Sequence, residues 1–353
     1  MSRALTLGTR TITDDEPCYV IAEIGHNHQG SVATAKELFR QAKDCGASAV
    51  KLQKRCNRRL YSRSLYDKPY DHPNSFGATY GAHREALEFG VPEYAALDAY
   101  AHSLGIDFFA TVFDPWSADD LHPLGLPAVK LASADLVNLS LIQHVAAMRV
   151  PLILSTGGAT MAQIDQAMET IAPYHEHVAL LQCTASYPAP WEDLNLRTIE
   201  TLRDRYPETV VGYSGHDSGI AAPLTAYVLG ARIVEKHFTL NRTMKGTDHA
   251  MSLEPVGMRK LCRDLSRMRV ALGDGQKRPM PSEGAALHKM QKSVVLVRDL
   301  PAGAVLTAAD VALRSPYRGT RPANEFHALI GAVLAEGGVA DEPVPAVEVP
   351  AHV

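Results

Sequence analysis

The sequence predicts a (β/α)8 barrel followed by a small β-rich domain, and three observations carry that expectation. Eight short apolar stretches of strand character alternate with stretches of helical period over about 250 residues. The polar residues with most chemical capacity fall at the carboxyl ends of those stretches, where a barrel keeps its chemistry. An open doubly wound sheet is the alternative, but no GxGxxG turn follows the first core strand.

Each element has its own local reason. Residues 4–13 alternate as a two-stranded flap before the first core strand, Tyr19 to Ile24. Ser31 caps a helix whose apolar face is Ala35, Leu38, Phe39 and Ala42, and Gly46 ends it. Ala49 to Gln53 is strand two. The stretch from Lys54 to Gly90 is long and polar, as functional loops in compact domains are. Tyr94, Leu97, Tyr100 or Ala101, and Leu104 line the next helix, Gly105 ends it, and Asp107 to Phe113 makes strand three. Strands four and five are read at Pro127–Leu131 and Pro151–Ser155. Met161, Ile164, Met168 and Ile171 stripe a helix before strand six, Val178–Cys183.

The stretch from Val211 to Pro255 carries the densest chemistry. Val210–Tyr213 reads as a buried strand ending at Ser214-Gly215-His216, Ile220–Leu229 as an apolar helix closed by Gly230, and Arg232–Phe238 as a strand. Such a unit needs a right-handed crossover and gives parallel strands. If the two are neighbours, their carboxyl ends lie roughly 5 Å apart, so His216 and His237 reach one cation. A helix bearing Met258, Leu261, Leu265, Met268 and Leu272 closes the barrel.

The expected divisions are a barrel domain at 1–275, a linker at 276–290 (GDGQKRPMPSEG, residues 273–284, reads as linker) and a small domain at 291–353. The last opens with a strand, a Pro-Ala-Gly turn, a capped helical turn at Thr307 and a strand ending at Arg314. At 353 residues, 46% apolar and a formal net charge of −4, the chain has no electrostatic footprint for nucleic acid. No apolar run approaches the roughly 20 residues of a bilayer span, and the N-terminal stretch lacks the apolar core of a secretory signal. A cytoplasmic protein with five reduced cysteines, none in a CxxC pair, is expected.

The motifs IAEIGHNHQG, KLQ, TVFD, KLASAD, STGG, QCTASYP, GYSGH, EKHFTL and KGTDHAMSLEP occur in that order from about Tyr19 to Pro255. As a set they resemble the sialic acid synthase family, and the C-terminal stretch resembles that family's antifreeze-like (SAF) domain. The resemblance implies a TIM barrel that condenses phosphoenolpyruvate with an aldose such as N-acetylmannosamine or its 6-phosphate, using a divalent metal held by two histidines. It also implies a homodimer whose small domains are exchanged between subunits.

Roles follow on those positions. His216 and His237 are the expected metal ligands; two imidazoles are too few for a closed structural site and leave room for water and substrate oxygens. Mn²⁺ or Mg²⁺ suits an oxygen-rich shell, and Co²⁺ or Zn²⁺ is also admitted. Glu23 is placed to exchange a proton with water. Lys51, Thr111, Lys130, Ser133, Ser155 and Ser214 resemble the phosphoenolpyruvate cradle, since an anion in a pocket of low dielectric needs cations and hydroxyl donors. Gly157-Gly158 lets backbone N–H groups approach it. Gln53, Asp135, Tyr187 and Asp248 are assigned to sugar hydroxyls, although Asp135, Ala134 and Ala185 depart from common family residues. Arg314 matches the arginine that the small domain lends to the partner's site, with Arg318 and Arg321 as substitutes. The loop KRCNRRLYSR and the segment ATYGAHREALEF resemble the branch acting on a 6-phosphorylated aldose, which makes Arg55, Arg58, Arg59 and Arg63 phosphate candidates. Asp217 is a further neighbour for the metal. Rival readings are the same chemistry on another aldose, and a catalytically silent sugar- or ice-binding protein.

Overall fold

An antiparallel hairpin, β1 (Ala4–Leu7) and β2 (Arg10–Thr13), precedes eight parallel strands that close on themselves. The structure is a computed structural model and describes residues 3–348. The chain divides into two units, Met1–Gly273 and Asp274–Val353. In the first unit β3 (Tyr19–Gly25) leads into helix α1 (Val32–Asp44) and β4 (Ala49–Lys54). Three short helices, α2 (Asn57–Leu60), α3 (Arg63–Tyr66) and α4 (Tyr80–Glu85), occupy the long polar loop before α5 (Val91–Leu104). Then follow β5 (Asp107–Val112), α6 (Pro115–Leu121), β6 (Val129–Leu131), α7 (Leu139–Ala147), β7 (Leu152–Ser155), α8 (Met161–Ile171) and β8 (Val178–Cys183). The unit ends with α9 (Thr198–Arg205), β9 (Val210–Gly215), α10 (Ala221–Val228), β10 (Ile233–His237) and α11 (Pro255–Ala271). Strand β10 pairs with both β9 and β3, which completes the barrel.

In the first unit the expected strands are present within a residue or two of their predicted limits. Ser31 accepts from Thr34 N at 3.2 Å as the α1 N-cap, and Gly105 ends α5 in the left-handed conformation at φ 64°. Sequence reading passed over α6, α7 and α9. The first has a strong local signal, because Asp114 accepts from Ser117 N at 2.7 Å and Pro115 takes the first helical position.

Two apolar layers hold the barrel. Outward-facing residues of the strands, such as Val50, Leu52, Leu154 and Val234, pack under the helices. Inside, Ile21, Ala49, Phe109, Ala128, Ile153 and Ile233 fill the amino-terminal end, and Leu5, Leu7 and Ile12 of the hairpin plug it. Side chains on one face of a strand recur every second residue. Two residues beyond this plug layer, the inward positions become Glu23, Lys51, Thr111, Lys130, Ser155 and Glu235. The barrel therefore changes from apolar to charged within one pleat.

The second unit has its own core of Val294, Leu296, Leu306, Val311, Leu334 and Val344. Strands β11 (Ser293–Leu296) and β12 (Val311–Arg314) pair antiparallel, as do β13 (Val333–Leu334) and β14 (Val347–Glu348). The segment expected as linker is not wholly irregular: it includes helix α12 (Gly284–Met290). The turn at Thr307 is not helical; Asp310 closes it by accepting from Thr307 N at 2.9 Å. Residues 349–353 of the expected small domain lie outside the described residues.

Candidate active site

The carboxyl-terminal mouth of the barrel opens into a cavity of about 550 Å³. Its floor is the charged layer. Lys51 Nζ sits 2.5 Å from Glu23 Oε2 and donates to Thr111 Oγ1 at 2.6 Å. Lys130 Nζ donates to Ser155 Oγ at 2.6 Å and to the Leu131 carbonyl at 3.2 Å. Between the lysines lies Glu235, 3.8 Å from Lys51 and 3.9 Å from Lys130, accepting from Ser214 Oγ at 3.1 Å. Ser133 Oγ accepts from Gly157 N at 3.0 Å, and a Cβ on Gly157 would come 2.8 Å from that hydroxyl. Two buried ammonium groups beside hydroxyls and a close backbone approach form an anion-binding floor.

Burial and charge act against each other on these groups. Burial pushes the Glu235 carboxyl up, but Lys130 and Lys51 pull it further down, to about 2. Burial pushes Lys130 below its usual ammonium range, and Glu235 opposes that. Glu23 goes the other way: burial raises it more than Lys51 lowers it, and Glu235 raises it further. Its Oε1 accepts from Gln53 Nε2 at 2.7 Å. Oε2 is the oxygen paired with Lys51, 2.5 Å from its Nζ.

The parallel register Lys236↔Gly215 continues to His237 beside His216, and the two rings are 5.4 Å apart. His216 Nδ1 is 3.0 Å from the Thr184 carbonyl, which fixes the proton on Nδ1 and leaves Nε2 as a lone pair. Burial, with His237 adding to it, lowers His216 to about 4, and burial lowers His237 too. Both rings are neutral near pH 7. His237 Nδ1 is buried without a hydrogen-bond partner, 3.9 Å from Asp248 Oδ2. Among the described residues no three His, Cys, Asp or Glu side chains are arranged to hold a metal. Two neutral imidazoles at the rim of an oxygen-rich cavity fit a cation completed by substrate and water.

Most residues expected from sequence meet here. Glu23, Lys51, Gln53, Thr111, Lys130, Ser133, Ser155, Tyr187, Ser214, His216, His237 and Asp248 all line the cavity. Tyr187, 60% exposed, lays its ring 4.0 Å from that of His216 at the open side. Asp135 is not brought to the cavity wall; it accepts from Asn138 Nδ2 at 3.3 Å in the turn after β6. Arg314 lies in the second unit and pairs with Asp341. Asp217 is turned away from the cation site: it is fully buried, 3.0 Å from Lys236 Nζ, and accepts from Tyr213 OH at 2.8 Å. Of the four loop arginines only Arg55 reaches the cavity. Sequence reading gave Glu235 no role, although it stands two residues before His237 and so shares its face.

A closed parallel barrel with an anion floor and a paired-imidazole rim is an (α/β)8 protein built for charged small molecules. More narrowly, residues 38–277 match the NeuB family and residues 291–349 the SAF domain, and the chain belongs to the NeuB family of sialic acid and related nonulosonate synthases. It is 39% identical to the N-acetylneuraminate-9-phosphate synthase of Mus musculus, over 84% of this chain and 83% of that protein. It is 36% identical to the N,N'-diacetyllegionaminic acid synthase of Legionella pneumophila, over 90% of each. The solved structure of the N-acetylneuraminic acid synthetase from Leptospira borgpetersenii in complex with citrate aligns with a TM-score of 0.71 at 34% identity, covering 81% of this chain and 96% of that one.

Proposed function

We propose that the protein condenses phosphoenolpyruvate with an N-acetylmannosamine-type aldose, giving a nine-carbon 2-keto-3-deoxy acid and phosphate. The observation that carries this reading is the floor of Lys51, Lys130, Ser155 and Thr111 directly beneath the imidazole pair. One region suits a trianionic enol phosphate, the other a carbonyl. A divalent cation, Mn²⁺, Mg²⁺ or Co²⁺, held by His216 and His237 would supply Lewis-acid polarisation of the aldose carbonyl.

The residues of the chain account for the remaining chemistry. Lys51 and Lys130 bind the phosphate and carboxylate oxygens and aim the C3 methylene at the aldehyde carbon. As that C–C bond forms, C2 takes on cationic character, and Glu235 beneath it offers a fixed negative charge. Water then adds to C2, and phosphate leaves with cleavage of the C2–O bond. Glu23, whose carboxyl burial raises toward the range of proton transfer, takes the proton of that water. Gln53, Asp248 and Tyr187 orient the sugar. The small units are exchanged in a homodimer, as the family resemblance implies, and light scattering tests that.

The test is phosphate release from phosphoenolpyruvate with Mn²⁺ and each of N-acetylmannosamine, its 6-phosphate, mannose and mannose 6-phosphate. EDTA and His237→Ala should each abolish turnover. A folded protein that releases no phosphate and binds neither phosphoenolpyruvate nor Mn²⁺ would overturn the reading.

A further inference from the structure

The ladder between β9 and β10 runs to Gly215↔Lys236, one residue short of the two histidines. There the strand ends part: the His216 carbonyl accepts from Ala189 N at 3.1 Å and the His237 carbonyl from Leu253 N at 2.8 Å. What spans the gap is an ion pair on the outer face of the barrel wall. Lys236 Nζ donates to the Asp217 carbonyl at 2.5 Å and to Asp217 Oδ1 at 3.0 Å, and Tyr213 OH donates to the same Oδ1 at 2.8 Å. Asp217 follows His216 and Lys236 precedes His237. One lysine side chain therefore ties the chain just after the first imidazole to the chain just before the second.

This pair sits where charge is costly. Lys236 follows Val234 by two residues and shares its outward face, in the apolar layer beneath the helices. Asp217 is 0% exposed and Lys236 1%. Among the described residues neither has another oppositely charged partner within 4.0 Å, and Asp217 Oδ2 is buried without a donor. Replacing such a buried pair by well-packed apolar side chains is often neutral or stabilising, so stability alone does not account for it. The surrounding chain is nevertheless shaped around the pair. A Cβ on Gly215 would come 2.4 Å from the Tyr213 ring and 2.6 Å from Asp217 Oδ1, so glycine at the end of β9 leaves the carboxylate its place.

We propose that Asp217 and Lys236 are positioning residues for the imidazole pair, setting from behind the separation and aim of His216 and His237 and thereby the affinity of the rim for a divalent cation, a role that rests on the cation reading of that rim. Asp217 acts through the backbone and not as a ligand. Neighbouring strands stand about 4.8 Å apart, and the two rings are 5.4 Å apart. A small splay of the strand ends would move the two lone pairs off any common point. The Thr184 carbonyl fixes which nitrogen of His216 is free, and Lys236 fixes where the backbone beside that ring stands relative to β10. With only two protein ligands, each imidazole carries a large share of the affinity, so the groups that orient them count in proportion.

The experiment removes both charges at once, since removing one would leave the other buried and unpaired. Lys236→Met with Asp217→Asn stays close in volume and keeps an oxygen to accept from Tyr213 OH. Mn²⁺ binding to the apoprotein is measured by isothermal titration, beside phosphoenolpyruvate binding in EDTA and the urea midpoint of unfolding. The double variant should bind Mn²⁺ about 10-fold or more weakly than wild type, with phosphoenolpyruvate affinity and urea midpoint unchanged. His237→Ala should abolish Mn²⁺ binding. Wild-type Mn²⁺ affinity in the double variant, while His237→Ala loses it, would overturn the positioning role and leave the cation reading standing. If His237→Ala binds Mn²⁺ as wild type does, the cation reading fails and the positioning role with it. Parallel losses of Mn²⁺ affinity, phosphoenolpyruvate affinity and stability would also overturn the role, as the mark of a general structural defect. If the double variant does not fold, Tyr213→Phe decides, because it removes one of the two donors on Asp217 Oδ1 and no charge. Mn²⁺ affinity weaker by about 3-fold or more supports the role, and unchanged affinity overturns it.

Discussion

Replacing Glu235 with Gln tests the electrostatic design of the cavity floor. Lys51 keeps a second carboxylate, Glu23 at 2.5 Å, whereas among the described residues Lys130 has only Glu235 within 4.0 Å. At 3.9 Å and an effective dielectric near 20, the attraction between Glu235 and the Lys130 ammonium is worth roughly 4 kcal/mol. Losing it weakens the proton affinity of Lys130 by about a thousandfold, at about 1.4 kcal/mol per tenfold. Burial already holds that ammonium below its usual range, so in the variant it deprotonates within the working range. The sign follows: the cation is present at low pH and lost as pH rises. Phosphoenolpyruvate affinity, measured by isothermal titration without aldose from pH 6.5 to 8.5, should fall at least about tenfold in Glu235→Gln, since losing a charge-assisted contact costs about 1.5–3 kcal/mol. In wild type it should stay nearly flat. Affinity in the variant that is equally flat and equal to wild type would refute the argument that Glu235 keeps Lys130 charged.

Gly157→Ala should raise the KM for phosphoenolpyruvate about tenfold, because its Cβ would crowd the Ser133 hydroxyl and the Ala185 backbone; initial-rate kinetics check it. Phe109→Ala, in the plug layer under the site, should cost about 3–5 kcal/mol in denaturant unfolding of the barrel. Asp14 accepts from Arg203 and Arg3 and anchors the end of the hairpin. Its bond to Arg203, more than partial burial opposes, holds its carboxyl below the ordinary 3.8. Since folding depresses that group, its stabilisation is present above pH 3.8 and lost as pH falls below it. Asp14→Asn should therefore destabilise by about 1 kcal/mol at pH 7, and the gap to wild type should close in strongly acidic solution.

The barrel was legible because its parallel strands are buried on both faces and read as short apolar runs between capped helices, as at Ser31 and Gly105. Helix α9 escaped because only Ile199 and Leu202 of its eight residues are buried, too few to mark a period. The cavity lining was legible where a polar side chain interrupts or ends an apolar strand, as at Lys51, Ser214 and His237. Asp135 stands off the cavity wall for the complementary reason: it follows β6 by four residues, in a turn whose direction no strand period fixes. Arg55, also just past a strand end, was grouped with Arg58, Arg59 and Arg63 because composition cannot tell a buried guanidinium from solvated ones. Glu235 was recoverable. Alternation alone puts Ile233, Glu235 and His237 on one face, and only the conspicuous histidine drew attention from it.

That same alternation explains why the floor tolerates so much buried charge. Moving from Ile233 to Glu235 and His237, or from Ala49 to Lys51, Gln53 and Arg55, each strand passes from plug to charge to rim in steps of two. The low-dielectric plug strengthens every interaction one layer above it, including the repulsion between Lys51 and Lys130. Glu235, placed between them, converts that repulsion into two attractions while leaving both ammonium groups facing the cavity. Such a counter-ion must compete with the ligand only weakly, and Glu235 sits in the floor rather than at the mouth. An incoming anion must draw Lys51 from Glu23, whereas the counter-ion of Lys130 lies in the floor, and that floor is organised before substrate arrives.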